Sequence, residues 1–193
     1  MNNGFFALAA RMKYINRWAL MRNVHAENLA EHSFDVAVIS HALVTIANVR
    51  FKKNLNSEKA ALLGLFHDMP ETLTGDLPTP VKYYSPDVRS AYQTVEENAC
   101  KKIISMLPED LRKEYEFAFE INEENAEIKK YVKAADKISA LIKCFEEQKA
   151  GNSEFNFAAT ETEKTIRNMN MPEAEIFIDE FLPSYLLSLD ELG

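Results

Sequence analysis

Four ionisable side chains stand where helical packing would ask for leucine. His32 follows Glu31 inside one apolar stretch, His67 and Asp68 close a second, and Asp136 borders the apolar stripe of a third. A buried lone carboxylate is strongly unfavourable unless it is paired or bound to a metal. Two imidazole nitrogens and two carboxylate oxygens, gathered from three helices, form a mixed donor set that suits Mn, Fe, Co or Zn better than Ca. A hydrogen-bonded core histidine beside an acid gives the same pattern, so spacing alone leaves both readings open.

Glu71 follows His67 by four residues and Asp68 by three. If a helical turn survives Pro70, its carboxylate lies near the same site, in the place of a general acid or base. The plainer alternative is an acid at a helix N-terminus, favoured by the dipole. His41 lies nine residues beyond His32, and at about 100° per residue the two point to opposite sides of their helix. It therefore cannot share a metal with His32 and reads as a core or interface histidine. His25 reads as an anion contact or a surface residue.

The elements that must position these groups are helical. Apolar residues recur at helical and not alternating spacing, and about seven helices are expected: Leu29 to Asn48, Glu58 to about Asp68, Ser85 to Leu107, Glu109 to about Phe119, Asn125 to Gln148, Phe155 to Asn168 and Pro172 to Leu182. The first carries two stripes, Ala30-Phe34-Ala37-His41-Val44 and His32-Val36-Ile39-Leu43-Ile46, and two apolar faces imply a central, buried helix. The second is apolar almost all round and is also expected in the core, with Asn56 or Ser57 as its cap. Pro70 should stop or kink it near His67-Asp68. Thr74 to Pro80 reads as an ordered loop, and Gly151-Asn152 as the turn that ends the long helix.

A chain of 193 residues with five glycines and no repeat or linker suits one all-α domain spanning 1–193. The net charge of −8 argues against a nucleic-acid polymer as partner. The first 26 residues nevertheless carry Arg11, Lys13, Arg17 and Arg22 and no acid, so they are +4 and leave −12 for the rest. That segment supplies a local site for a small anion, or a solvated cationic face. Cys100 and Cys144 are too few for a disulfide framework and too far apart for a metal knuckle, so reduced thiols and a cytoplasmic setting are the expectation. No membrane association is expected: Gly4 to Ala10 lacks a basic flank before it, and Phe34 to Val49 falls short of the roughly 20 apolar residues a span needs.

The order His32, His67-Asp68, Asp136 resembles the HD-domain metal-dependent phosphohydrolases. Beyond it, Ile15-Asn16-Arg17-Trp18, Leu20-Met21-Arg22-Asn23-Val24, Ala30-Glu31-His32-Ser33, His67-Asp68-Met69-Pro70-Glu71 and Leu73 to Tyr83 resemble the bacterial 5'-deoxynucleotidases of the YfbR type. Lys143-Cys144-Phe145-Glu146-Glu147 and Pro183 to Glu191 extend the likeness over nearly the whole chain. One departure is Met69-Pro70, where Ala-Ser is closer to the family pattern, and it bears on the reach of Glu71.

The resemblance implies an HD-type helical bundle, its metal-site core at about 28–140, that forms homodimers and releases phosphate from deoxyribonucleoside 5'-monophosphates with one divalent transition metal, Co, Mn, Fe or Zn. It implies His32, His67, Asp68 and Asp136 as metal ligands, Asp68 and Asp136 also touching substrate. Arg17 would orient the phosphate, Trp18 would help exclude a ribose 2'-hydroxyl, Asp76, Leu77, Pro78 and Thr79 would form a substrate loop, and Glu71 would be the catalytic carboxylate. Two other functions fit the same residues: an HD phosphatase or phosphodiesterase for another nucleotide or small phosphate ester, and a non-catalytic nucleotide-binding dimer. A binding-only protein has no need of all four ligands.

Overall fold

The computed structural model describes residues 3–119 and 123–193, and among them the only β structure is an isolated antiparallel bridge between Asn16 and Asn28. The all-α expectation holds. Ten α-helices occur among the described residues: α1 (Phe5–Ala9), α2 (Leu29–Phe51), α3 (Ser57–Phe66), α4 (Glu71–Thr74), α5 (Thr79–Lys82), α6 (Pro86–Ser105), α7 (Glu109–Phe119), α8 (Glu123–Lys149), α9 (Asn156–Arg167) and α10 (Pro172–Glu180). The seven expected helices are α2, α3 and α6 to α10. The additional three are single turns or little more, too short to carry a periodic signal.

Contacts divide the chain into two compact units. The first comprises Met1–Arg22, Ala26–Ser33 and Phe66–Asn122, and the second Asn23–His25, Phe34–Leu65 and Glu123–Gly193. The core of the first unit gathers Phe5, Met12, Leu29, Met69, Ile103 and Leu107, with Phe66, Tyr115 and Phe119 packed against them. The Phe5 ring lies 5.0 Å from Tyr115 and meets Phe119 edge-on at 6.2 Å, the offset geometry aromatic quadrupoles prefer. The short apolar run at Gly4 to Ala10 is thus a helix whose first residue is a core anchor.

The second unit packs α8 with α9 and α10. Within it Gly64 allows a close approach: a Cβ there would stand 2.9 Å from the Ala37 Cα and N, inside van der Waals contact. Lys143 and Glu147, one turn apart on α8, form a buried pair at 2.5 Å. Glu147 also accepts from the Val24 and His25 amides and from Asn152 Nδ2, at 2.8, 3.0 and 2.8 Å. Burial alone would raise this carboxyl, but those four donors hold it at about 2. His25 itself is exposed, in keeping with the surface reading.

The sequence expectations need two corrections. Helix α2 is 23 residues long and by length and composition could cross a membrane, whereas the sequence reading stopped it short. It contains Glu31, Asp35 and a fully buried His32, and its close contact with α3 through Gly64 is the behaviour of a core helix. Nor is α2 buried all round. The stripe His32-Val36-Ile39-Leu43-Ile46 is buried, but Phe34 and Val38 are 63% and 51% exposed and His41 is exposed too. In α3, Leu62 and Leu65 are likewise exposed. The apolar side chains alone could not distinguish a face buried within the chain from one left on its surface.

Candidate active site

The start of α2 is fixed by a reciprocal cap. The Asn28 side chain accepts from the amides of Ala30 and Glu31 at 3.0 and 3.1 Å, and the Glu31 carboxylate accepts from the Asn28 amide at 3.1 Å, a capping-box arrangement. His32 follows in the first turn, fully buried. The α3 helix ends at Phe66, as Pro70 demands, but the chain does not straighten there. Turn bonds from Met69 N to Phe66 O (3.1 Å), Glu71 N to Asp68 O (3.0 Å) and Thr72 N to Met69 O (3.0 Å) carry it past the proline. Pro70 is the N-cap of α4, where its missing N–H costs nothing, and Met69 is wholly buried in the core below. Glu71 thus opens α4 and stays one turn along the chain from His67 and Asp68.

The side chains of His32, His67 and Asp68 each offer a ligand atom within 4.8 Å of the others. Asp68 Oδ2 is the centre of this group, 3.1 Å from His67 Nε2, 3.5 Å from His32 Nε2 and 3.2 Å from Arg17 Nη1. Ligands about 2.1 Å from a first-row metal lie about 3.0 to 3.4 Å apart along the edges of an octahedron or tetrahedron. The donor types and their spacing therefore fit a divalent transition metal. Asp136 lies on α8 in the second unit, partly buried, with Lys137 Nζ 3.1 Å from its carboxylate.

The remaining expected residues of the site lie in the first unit. Glu71 is 9% exposed, and its Oε2 has no hydrogen-bond partner among the described residues. Burial pushes its carboxyl up to about 9, with the charges of Asp68 and Asp76 adding and those of Arg17 and Lys82 opposing. Asp76 is also raised, chiefly by burial, against the pull of Arg17. After Gly75, in the left-handed region at φ +76, the chain runs through half-buried Asp76, Leu77 and Pro78. Contrary to the loop reading of Thr74 to Pro80, Thr79 and Pro80 begin α5, with proline near its start where no N–H is needed.

Sequence reasoning missed three supports. Glu27 is buried and accepts from both Arg17 and Trp18; its only signal was being the first acid after the acid-free stretch. Tyr92 and Glu96 on α6 hold the two ends of the segment 75–82, Tyr92 donating to Gly75 O at 3.3 Å and Glu96 accepting from Lys82 at 2.7 Å. Neither has a local signature. Trp18 has φ +59, a conformation that costs a bulky residue about 1–3 kcal/mol.

Comparison with known proteins gives the family and the fold. The family model described as 5'-deoxynucleotidase YfbR-like matches residues 4–185. A 5'-deoxynucleotidase of Pectobacterium atrosepticum is 46% identical over 98% of this chain and 95% of its own length, and one of Vibrio atlanticus is 48% identical over 98% and 97%. Among solved structures, an HD-domain phosphohydrolase of Listeria innocua superposes with a TM-score of 0.80 at 25% identity, covering 96% of this chain and 89% of that one. The cyanophage S-2L HD phosphohydrolase DatZ, bound to dA and one catalytic Zn2+ ion, shares the fold with a TM-score of 0.66 at 16% identity, over 92% and 96%. With a cluster of two histidines and an aspartate in an HD-type helical fold and this relatedness along its length, the chain belongs to the YfbR-like 5'-deoxynucleotidase family of metal-dependent nucleotide phosphohydrolases.

Proposed function

We propose that this chain hydrolyses deoxyribonucleoside 5'-monophosphates to the nucleoside and inorganic phosphate, with residues 1–193 acting as one HD-type domain. The observation that carries the reading is the convergence of His32, His67 and Arg17 on the Asp68 carboxylate. A metal-donor cluster with an arginine at its edge suits a phosphate dianion, and it is this site that separates a phosphohydrolase from a helical binding module.

His32, His67 and Asp68 hold a divalent transition metal, and family membership supports Asp136 as the fourth ligand. That metal, Co, Mn, Fe or Zn, supplies Lewis acidity and an acidified water when bound. The catalytic Zn2+ of the cyanophage enzyme, which shares the fold, supports a divalent metal at this site. Arg17 neutralises charge on the phosphoryl oxygens as the phosphate transfers. Trp18 closes the space beside C2' of the sugar. Asp76 accepts from a sugar hydroxyl, while Leu77, Pro78 and Thr79 shape the loop around the nucleotide and Asp68 and Asp136 border it. Glu71 moves a proton, from the attacking water or to the leaving nucleoside oxygen. Burial raises its carboxyl well above the usual carboxylate range, which favours the acid role, a proton given to the leaving nucleoside oxygen.

The enzyme works as a homodimer in the cytoplasm. Phe34, Val38, Val49, Leu62 and Leu65 are exposed apolar side chains of the second unit, surface that a second copy would cover together with exposed His41. Phosphate release from a panel of deoxy- and ribonucleoside 5'-, 3'- and diphosphates, with metals added back to chelated protein, tests the whole reading. Metal-dependent release is expected to be fastest from deoxyribonucleoside 5'-monophosphates. Preference for another ester would make the chain a different HD phosphatase or phosphodiesterase, and binding without release a nucleotide-binding dimer.

A further inference from the structure

Arg17 and Trp18 open a loop whose neck is closed by the Asn16–Asn28 bridge and by the Leu29 amide on Ile15 O at 3.0 Å. Glu27 stands at the other end of that loop, 8% exposed. Its Oε2 accepts from Arg17 Nε at 3.1 Å and from Trp18 Nε1 at 2.8 Å, while its carbonyl accepts from the Arg17 amide at 2.9 Å. One carboxylate oxygen thus holds two neighbouring side chains of different chemistry. We propose that Glu27 is a positioning and specificity-determining residue, which couples the grip on the phosphate to the preference for a deoxyribose by anchoring the Arg17 guanidinium and the Trp18 indole on the same oxygen. The inference rests on the reading above that Arg17 meets the phosphate and Trp18 the sugar.

A guanidinium is planar and its donors point in a fixed fork, so holding its Nε edge sets the direction of both terminal nitrogens. Glu27 takes that edge, and Nη1 reaches Asp68 at the metal cluster. The indole has one donor, and Glu27 accepts it. Trp18 sits on a left-handed backbone that its bulk disfavours, so an anchor at the far end of the side chain is what keeps the ring facing one way. Because both donors share Oε2, displacement of either planar group moves the acceptor of the other.

Trp18 is the only tryptophan in the chain, so its fluorescence reads the indole directly, without turnover. Glu27→Ala, Glu27→Gln, Arg17→Ala and Trp18→Ala are compared by kcat and KM on deoxy and ribo 5'-monophosphates, by metal content and, where the indole remains, by emission. Glu27→Ala is expected to keep its metal, lose about 10- to 100-fold in kcat/KM, mostly through KM, shift the Trp18 emission, and narrow the deoxy-to-ribo ratio. In Glu27→Gln the amide oxygen still accepts from the indole but the charge is gone. Emission and ratio should therefore return toward wild type while kcat/KM stays low. If Arg17→Ala and Trp18→Ala show their effects but both Glu27 variants match wild type in ratio, kcat/KM and emission, the proposal is overturned alone. If Arg17→Ala and Trp18→Ala leave kcat/KM and ratio unchanged, it is overturned together with the reading beneath it. Should Glu27→Ala not fold, the expected split in Glu27→Gln decides: wild-type kcat/KM there overturns the proposal.

Discussion

The Tyr92 hydroxyl, on α6, donates to the Gly75 carbonyl at 3.3 Å and also lies 3.4 Å from Thr74 Oγ1, where α4 ends and the segment leading to Asp76 begins. The chain reverses there on a positive-φ glycine, so the hydroxyl tethers the base of the proposed substrate loop. Tyr92→Phe should raise KM several-fold with metal content unchanged, and should lower stability by about 1 kcal/mol. Steady-state kinetics beside urea denaturation would check both, and unaltered KM would make Tyr92 a packing residue only.

Glu71→Ala should retain metal and bind substrate while losing about 10²- to 10⁴-fold in turnover. Metal analysis, calorimetric titration with nucleotide and single-turnover rates on one preparation would measure it. Loss of the metal would instead recast Glu71 as a ligand.

The same carboxyl has a thermodynamic signature in chelated protein. Its ordinary value of 4.5 rises to about 9 on folding, so between those values the folded state binds the extra proton. The contribution of Glu71 is most favourable below pH 4.5 and is lost as pH rises toward 9. Chelated wild type should thus lose stability across that window relative to Glu71→Gln, which carries no titrating group there. Parallel pH profiles of the two proteins would fail to diverge if the burial of Glu71 were relieved in solution.

What could be read in advance, and what could not, follows the range of the forces involved. Helices α2, α6, α7 and α8 announce themselves through period and caps, and Ser85, Asn56 and Gly151 sit at the boundaries assigned to them. His32, His67 and Asp68 were visible because charge in an apolar run is costly and demands a reason. Glu27 and Tyr92 were invisible because each acts across a loop or between helices, where neither spacing nor composition constrains the partner. Phe34 misled for a related reason: a side chain's type states that it prefers to be covered, not by what.

Metal retention should separate the two sides of α2. His67→Ala or Asp68→Ala should strip the metal and abolish turnover, and Asp136→Ala should do the same if it completes the ligand set. His41→Ala, on the exposed side of the helix, should keep the metal in full. Elemental analysis of the dialysed variants distinguishes them, and a folded but metal-free His41→Ala would refute the helix-face argument.

Glu147 should govern acid resistance. Its carboxyl lies at about 2 in the folded chain against an ordinary 4.5, so its stabilisation is complete above pH 4.5 and is lost as pH falls toward 2. Glu147→Gln should be less stable at neutral pH by about 3–5 kcal/mol, because Lys143 is left buried without its counter-charge. The deficit should shrink on acidification below pH 4.5, as measured by thermal melts at several pH values.

The reciprocal cap between Asn28 and Glu31 acts as a phase mark for the helix that follows. Each residue added to an α-helix turns everything beyond it by about 100°, so one residue inserted between Asn28 and His32 would swing the imidazole out of reach of Asp68. The same insertion between Met21 and Ala26 leaves the phase untouched, because the cap restarts the count. The four positions from Asn28 to Glu31 are thereby a ruler whose length sets the direction of the imidazole, while the loop before the cap carries no such constraint on its length.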